Sequence, residues 1–466
     1  MKVTSIGHAS ILVEAGGVTV LSDPWWCGPC FGAQWWTYPL PFLHALDGQR
    51  IDYIYISHGH HDHFHPGTLA TLPKTAKVLM SSALDLAPAV RELGFEIVEV
   101  GPDEVAQLGN EGLEVRIMPT HGADTLMVLS DGREVCVNLN DALHSAPELV
   151  QKTFTRRLRA LCPKIDYVFC GYGVASHFPN CYRIPGKDAE ATASQRQAYF
   201  NRQWSRVIAG LAPRYGFPFA ADVVYLQKDL FWANEATHNP ERPTAVFRQQ
   251  HPNSVTNVID IAPGFQIAHG HVLNLVTRQP VQAARLQEEL SEQIERANRV
   301  GRDNDSAIAG VVQALESNLS NCRTYLATFP GDYRVVLRFI NSPRSLVFQK
   351  RGTDLALQAA PTEHVQDVDM VYTTRWAYLR WALQRPYGDE ILFVGSGGIF
   401  EYASRDGASR NIHRELISLI RNKPMPSRPA AADKLGVAHK AKQIAKRLLG
   451  RNDRDLYDLL DWTVFS

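Results

Sequence analysis

The sequence predicts an α/β protein with a layered architecture built on two sheets, followed by a C-terminal α+β domain. Three observations carry this expectation. Residues 1–280 alternate short β-type runs with turns, and helical stretches enter only later in that span. From residue 281 the pattern shifts to longer helices with a second group of strands, giving a second domain over 281–466. At 466 residues the chain exceeds one small domain and has enough interior to bury full cores.

The strand candidates run in order as KVTSIG, SILVEA, VTVLSD, DYIYIS, AKVLMS, FEIVEV, LEVRIMP, TLMVLS, EVCVNLN and IDYVFC. Each is short, rich in Val, Ile or Tyr, and bounded by Gly, Asp or Ser. Apolar residues at three- and four-residue spacing predict helices over LDLAPAVRELG, PELVQKTFTRRLRALC and ATASQRQAYFNRQWSRVIAGLA. Early strands with later helices suit a layered fold. In the second domain VQAARLQEELSEQIERANRV, AIAGVVQALESNLSNC, TTRWAYLRWALQRP and HRELISLIRNK read as helices, and YRVVLRFI and SLVFQK as strands. The basic stretch HKAKQIAKRLLGR, followed by acidic DRDLYDLLDW, reads as a solvated helix face.

Composition narrows the class. Lys plus Arg and Asp plus Glu balance at 48 each, so no global basic field exists to hold nucleic acid or an anionic membrane. The first twenty residues alternate like a strand, not like a signal peptide, and no apolar run reaches membrane-spanning length. Seven scattered cysteines argue against a disulfide framework, and a cytoplasmic location is expected.

Four of the 17 histidines fall within six residues, in YIYISHGHHDHFHPGTL. His58, His60, Asp62 and His63 leave the end of a strand, with His61 and His65 beside them. Imidazole and carboxylate are ligands for zinc, iron or manganese. A loop leaving a strand can turn alternate residues to different sides. His58 and His60 would then grip one ion while Asp62 and His63 reach a second.

His-x-His-x-Asp-His after a strand resembles the signature of the metallo-β-lactamase superfamily, which implies an αββα sandwich. The resemblance extends residue by residue: Asp23 in VLSDPW fits the early acid, His121 in IMPTHGADT the later lone histidine, and Asp141 in VCVNLNDAL the metal-bridging carboxylate. His121 and Asp141 taken singly would read as structural, and they gain the ligand role from their order behind a full signature. GHASILVEAGG, with His8, is similar to the subgroup that includes ascorbate-6-phosphate lactonase. There His8 would support the active site beside the metals, or serve as a hydrogen-bonded structural residue. DPWWCGPCFGAQWW before the histidine cluster, together with GVASHFPNCY and APRYGFPFAAD, resembles the metallo-β-lactamase-like part of CMP-N-acetylneuraminate hydroxylase.

Two departures matter. No cysteine is followed by histidine at the Cys-x-His or Cys-x-x-His spacing of a Rieske cluster, so an external electron donor would be required. The strand that usually supplies a last histidine reads FPFAAD, which leaves His177 and His238 as candidates for an extra ligand or the substrate pocket. WCGPC inside DPWWCGPC matches a thioredoxin redox string, but FGAQWWTYPLP after it has no helical period, and Asp23 is the informative residue there.

The resemblance implies a dinuclear-metal enzyme, with iron favoured and zinc or manganese as alternatives. A diiron oxygenase hydroxylating a small molecule is preferred on the hydroxylase likeness. A hydrolase of lactone, ester or phosphodiester uses the same ligands, and a dead enzyme fold that only binds is the third reading.

Overall fold

The computed structural model describes residues 1–423 apart from 103, 121–123, 174–175, 239–240, 300–307, 328–330, 341, 386–387 and 405–411. The basic stretch at 439–451 lies outside the described residues. By compactness the chain falls into two units, one of residues 1–174 with 194–294 and the other of 175–193 with 295 onward.

The first unit holds two large sheets. In the eight-stranded sheet the order is His271–Asn274, Gln266–Ala268, Lys2–Gly7, Ser10–Ala15, Val18–Ser22, Tyr53–Tyr55, Lys77–Ser81, Glu96–Val100. Its first five strands pair antiparallel, and the pairings from Val18–Ser22 onward are parallel. The seven-stranded sheet runs Asn257–Val258, Tyr215–Phe219, Tyr167–Gly171, Val135–Asn140, Thr125–Ser130, Leu113–Pro119, Ala106–Leu108. All ten strands expected from the sequence form.

Side-chain alternation along these strands makes the layers. Val13, Val20, Tyr55 and Leu79 face the opposite sheet and join Met127, Leu129, Phe169 and Phe217 in one core. Their neighbours Leu12, Leu21, Ile54, Val78 and Met80 turn outward onto Leu69 and Val90, which come from the helices Pro66–Thr71 and Ala87–Glu92. On the far side Val137, Leu139, Val168 and Cys170 pack on Leu158, Trp204, Ile208 and Phe247 of the helices Glu148–Leu161, Ala189–Leu211 and Pro243–Gln250. Helix, sheet, sheet, helix is the αββα order.

The second unit carries a six-stranded sheet in the order Tyr182–Arg183, Gly398–Tyr402, Met370–Thr374, Tyr333–Phe339, Arg344–Arg351, Asp354–Pro361. Residues 175–193 join this unit because Tyr182–Arg183 pairs in parallel with Gly398–Tyr402. The expected long helix over VQAARLQEELSEQIERANRV forms as two, Ala283–Glu289 and Ser291–Arg299, parted at Leu290. In TTRWAYLRWALQRP the two threonines end the strand Met370–Thr374, and the helix is Trp376–Gln384. Among the described residues no helix is long and apolar enough to cross a membrane.

Candidate metal centre

The chemistry-bearing residues of the first unit collect at strand ends. Val18–Ser22 delivers Asp23, Tyr53–Tyr55 leads to Ser57 and the histidine cluster, and Val135–Asn140 delivers Asp141. The two sheets are tied here. Thr125 Oγ1–H donates to the Ser57 carbonyl at 2.7 Å, and Tyr55 and Thr125 share a hydroxyl bond of 2.8 Å.

Asp23 is fully buried and every contact it makes is directional. It accepts from the Ser57 N–H at 2.8 Å, the Ser57 hydroxyl at 2.6 Å and His63 Nδ1 at 2.9 Å. An ionised carboxylate only accepts, so His63 Nδ1 carries a proton and Nε2, once its own proton has left, is the atom that can bind a metal. The same argument fixes His58. Ser57 Oγ spends its hydrogen on Asp23 and therefore accepts from His58 Nδ1 at 3.0 Å, leaving His58 Nε2 bare. This is the outer-shell arrangement that orients metal-binding imidazoles.

The freed atoms converge. His58 Nε2 lies 2.8 Å from His60 Nδ1. His63 Nε2 lies 3.4 Å from Asp62 Oδ2 and 3.5 Å from Asp141 Oδ2. His58, His63 and Asp141 form one group whose ligand atoms all lie within 4.8 Å of one another, and His8, Asp62 and His63 form another. His63 Nε2, Asp141 Oδ1 and His8 Nδ1 are buried with no hydrogen-bond partner, a cost of about 1–3 kcal/mol each that a cation would relieve at the first two. The donor set of imidazole and carboxylate therefore fits divalent ions.

Electrostatics agree. Burial raises the Asp62 carboxyl, but the charge of His63, with His8, holds it well below the usual carboxylate range. Burial likewise opposes ionisation of Asp141, and His63, His144 and His58 outweigh it to push that carboxyl down. Burial disfavours charge on His63, yet Asp62, Asp23 and Asp141 raise it well above its ordinary value. The pocket thus stabilises positive charge at its centre.

Among the sequence-derived candidates, the structure brings His8, Asp23, His58, His60, Asp62, His63 and Asp141 together. His121 lies outside the described residues. His238 Nε2 meets the Val223 carbonyl at 2.5 Å and Nδ1 meets Arg278 at 3.3 Å, while burial pushes its imidazole down to about 4. His177 belongs to the second unit, where its Nδ1 donates to the Phe393 carbonyl at 2.6 Å. His65 caps the helix Pro66–Thr71, accepting from the Thr68 N–H at 3.0 Å, and exposed His61 stacks on Phe31.

Two residues were not anticipated. Asp124 Oδ1 lies 3.9 Å from His58 Nε2, and burial and then the charge of Asp141 raise its carboxyl. His144 donates or accepts through Nε2 at the Gly173 carbonyl, 2.9 Å away, and its charge acts on Asp141. At the WCGPC string, Cys27 is exposed and Cys30 is buried with its thiol donating to the His61 carbonyl. Burial, with the Asp62 charge, pushes the Cys30 thiol well up, the opposite of a thioredoxin nucleophile.

Comparison with known proteins adds three relatives. A putative Rieske 2Fe-2S iron-sulfur protein of Mycobacterium tuberculosis is 29% identical over 255 residues, covering 52% of this chain and 47% of the relative. The cytidine monophosphate-N-acetylneuraminic acid hydroxylase of Danio rerio is 40% identical over 75 residues, 16% of this chain and 13% of the relative. A metal-dependent hydrolase of Anaeromyxobacter sp. (strain K) is 34% identical over 109 residues, 23% of this chain and 36% of the relative. The chain spans about half the length of the first curated relatives it matches. Residues 2–142 match the family model described as the beta-lactamase superfamily domain. That segment is similar to the beta-lactamase superfamily domain, and the two-sheet core with its strand-end ligand cluster is the metallo-β-lactamase fold.

Proposed function

We propose that the chain is a two-metal oxygenase that hydroxylates a small-molecule substrate with electrons from an external donor. The largely buried ligand set of imidazoles and carboxylates with no thiolate, in which Asp141 faces His63 and His58 together, supports a two-metal centre. The observation that carries the oxygenase over a hydrolase with the same ligands is the likeness to the Danio rerio hydroxylase. His58, His60 and, from its place in the sequence, His121 would hold one ion. Asp62 and His63 would hold the second, with Asp141 between. Two such ions, iron in the favoured reading with zinc or manganese as alternatives, supply dioxygen reduction, or in a hydrolase a water acidified toward neutrality. In the oxygenase balance, dioxygen, two electrons and two protons convert one C–H of the substrate to C–OH and release one water.

The chain's own residues do the rest. Asp23 and Ser57 lock both imidazole tautomers, so ligand geometry is set before substrate arrives. Buried Trp25 and Phe31 wall the histidine loop with apolar surface. Asp124 Oδ1, 3.9 Å from His58 Nε2, stands at the edge of the cluster, placed to accept a hydrogen bond from a molecule held there. We assign this chemistry to residues 1–280, with 281–466 as an accessory domain. Seven free cysteines suit a reducing cytoplasm.

The likeness to the Danio rerio hydroxylase favours the oxygenase, and the likeness to the Anaeromyxobacter hydrolase gives metal-dependent hydrolysis as the second reading. Metal content and optical spectra of protein made in iron-replete medium separate them. Two irons per chain, with a spectrum that changes on reduction and on exposure to dioxygen, are expected. Stoichiometric zinc, with turnover of a phosphodiester or lactone without reductant, overturns the oxygenase.

A further inference from the structure

The geometry points to His8 as a direct ligand of the second ion, bound through Nε2 alongside Asp62 Oδ2 and His63 Nε2. This inference rests on the two-metal reading above and supplies the partner that FPFAAD lacks.

Spacing is the first argument. Ligand atoms bound at about 2.0–2.2 Å and at octahedral to tetrahedral angles lie about 2.8–3.6 Å apart. His8 Nε2 is 3.1 Å from Asp62 Oδ2, and His63 Nε2 is 3.4 Å from the same oxygen. One ligand atom from each of the three residues lies within 4.8 Å of the other two, and all three residues are buried. Asp62 Oδ2 therefore stands between two imidazole nitrogens at the separations a shared ion imposes.

Backbone conformation is the second. His8 follows the strand Lys2–Gly7 and adopts φ 43°, in the left-handed region, at the tight reversal into Ser10–Ala15. Gly, Asn or Asp takes such a position with least strain. A histidine held there is explained by what its ring reaches. The ring edge packs on Trp25 at 5.1 Å and on His63 at 5.6 Å. The His8 carbonyl accepts from the Ala220 N–H at 3.1 Å, which fixes the backbone against the segment just after the strand Tyr215–Phe219. That strand end brings no histidine, so the imidazole arrives from the first reversal of the chain instead.

The competing role is a hydrogen bond alone, with His8 Nε2–H positioning Asp62. His8→Gln separates the two, because glutamine keeps a donor and loses the imidazole ligand. Metal-free wild type and H8Q are titrated with Zn2+ and the ions retained per chain are counted. Wild type is expected to hold two. H8Q is expected to hold one tightly, with the second weakened by more than about 100-fold, beyond the loss typical of an outer-shell partner. A second ion weakened by less than that in H8Q overturns the role of His8 and leaves the two-metal reading standing. A wild type that holds fewer than two ions overturns both. Should H8Q fail to fold, 15N-histidine-labelled wild type decides: the second equivalent of zinc shifts two imidazole nitrogens if His8 is a ligand, and one if it is not.

Discussion

Asp23 never needs to touch an ion to govern the centre. Its carboxylate sets the His63 tautomer directly and the His58 tautomer through Ser57. Asp23→Asn should weaken metal binding about 10–100-fold while the fold persists, read by competition with a chromophoric chelator; unchanged affinity would remove Asp23 from the centre's support. His63 adds a pH dependence. Its pKa is raised in the folded protein, so below that value a proton must leave before Nε2 can bind. Apparent affinity should therefore climb about tenfold per pH unit through that range and level off above it. Calorimetry in buffers of different ionisation enthalpy should show one proton released at low pH, and a flat profile would contradict the assignment. At this scale the sequence was legible where spacing encodes chemistry: the His58–His63 motif and the two strand-end aspartates. Asp124 and His144 escaped because no spacing rule marks them. His65 was ambiguous because one imidazole serves equally as ligand or helix cap.

Strands were the most legible elements, because both faces of each sheet are covered and the apolar runs are dense. Phe169 shows what the facing sheets depend on: it is fully buried and its ring lies 4.7 Å from that of Phe217. Phe169→Ala should destabilise the first unit by about 3–5 kcal/mol in denaturant unfolding, and a loss below about 1 kcal/mol would deny that this layer is the main core. Less legible were elements whose stability comes from distant partners. Asp354–Pro361 carries no dense apolar run because its residues are largely exposed, and pairing with Arg344–Arg351 makes it a strand. Tyr182–Arg183 owes its strand state to Gly398–Tyr402, more than two hundred residues away. The break at Leu290 shows that a long helical period does not fix where one helix stops and the next begins.

For the molecule as a whole, an ion that binds only the folded state links loading to stability. At a free concentration of about 100 times Kd each ion adds about 2.7 kcal/mol. Chelation should lower the thermal midpoint and metal return should restore it; a midpoint indifferent to chelation would contradict a buried two-metal centre. The αββα layering was readable from alternation, while the return of residues 175–193 to the second unit was not, because only a distant pairing enforces it. Four backbone angles add to this link between metal loading and stability. His8, Asp23, Asn140 and Ala220 all adopt φ between 35° and 52°, and each stands at or just past a strand end beside the cluster. Relaxing one, as in Ala220→Gly, should raise the melting point of the metal-free protein, since strain of about 1–2 kcal/mol is relieved, and should quicken metal loss, followed by chelator-trapped release. A melting point that falls would show that the angle carries no strain. For anyone engineering this chain toward heat tolerance, the easiest gains in durability would then lie where they erode its grip on metal.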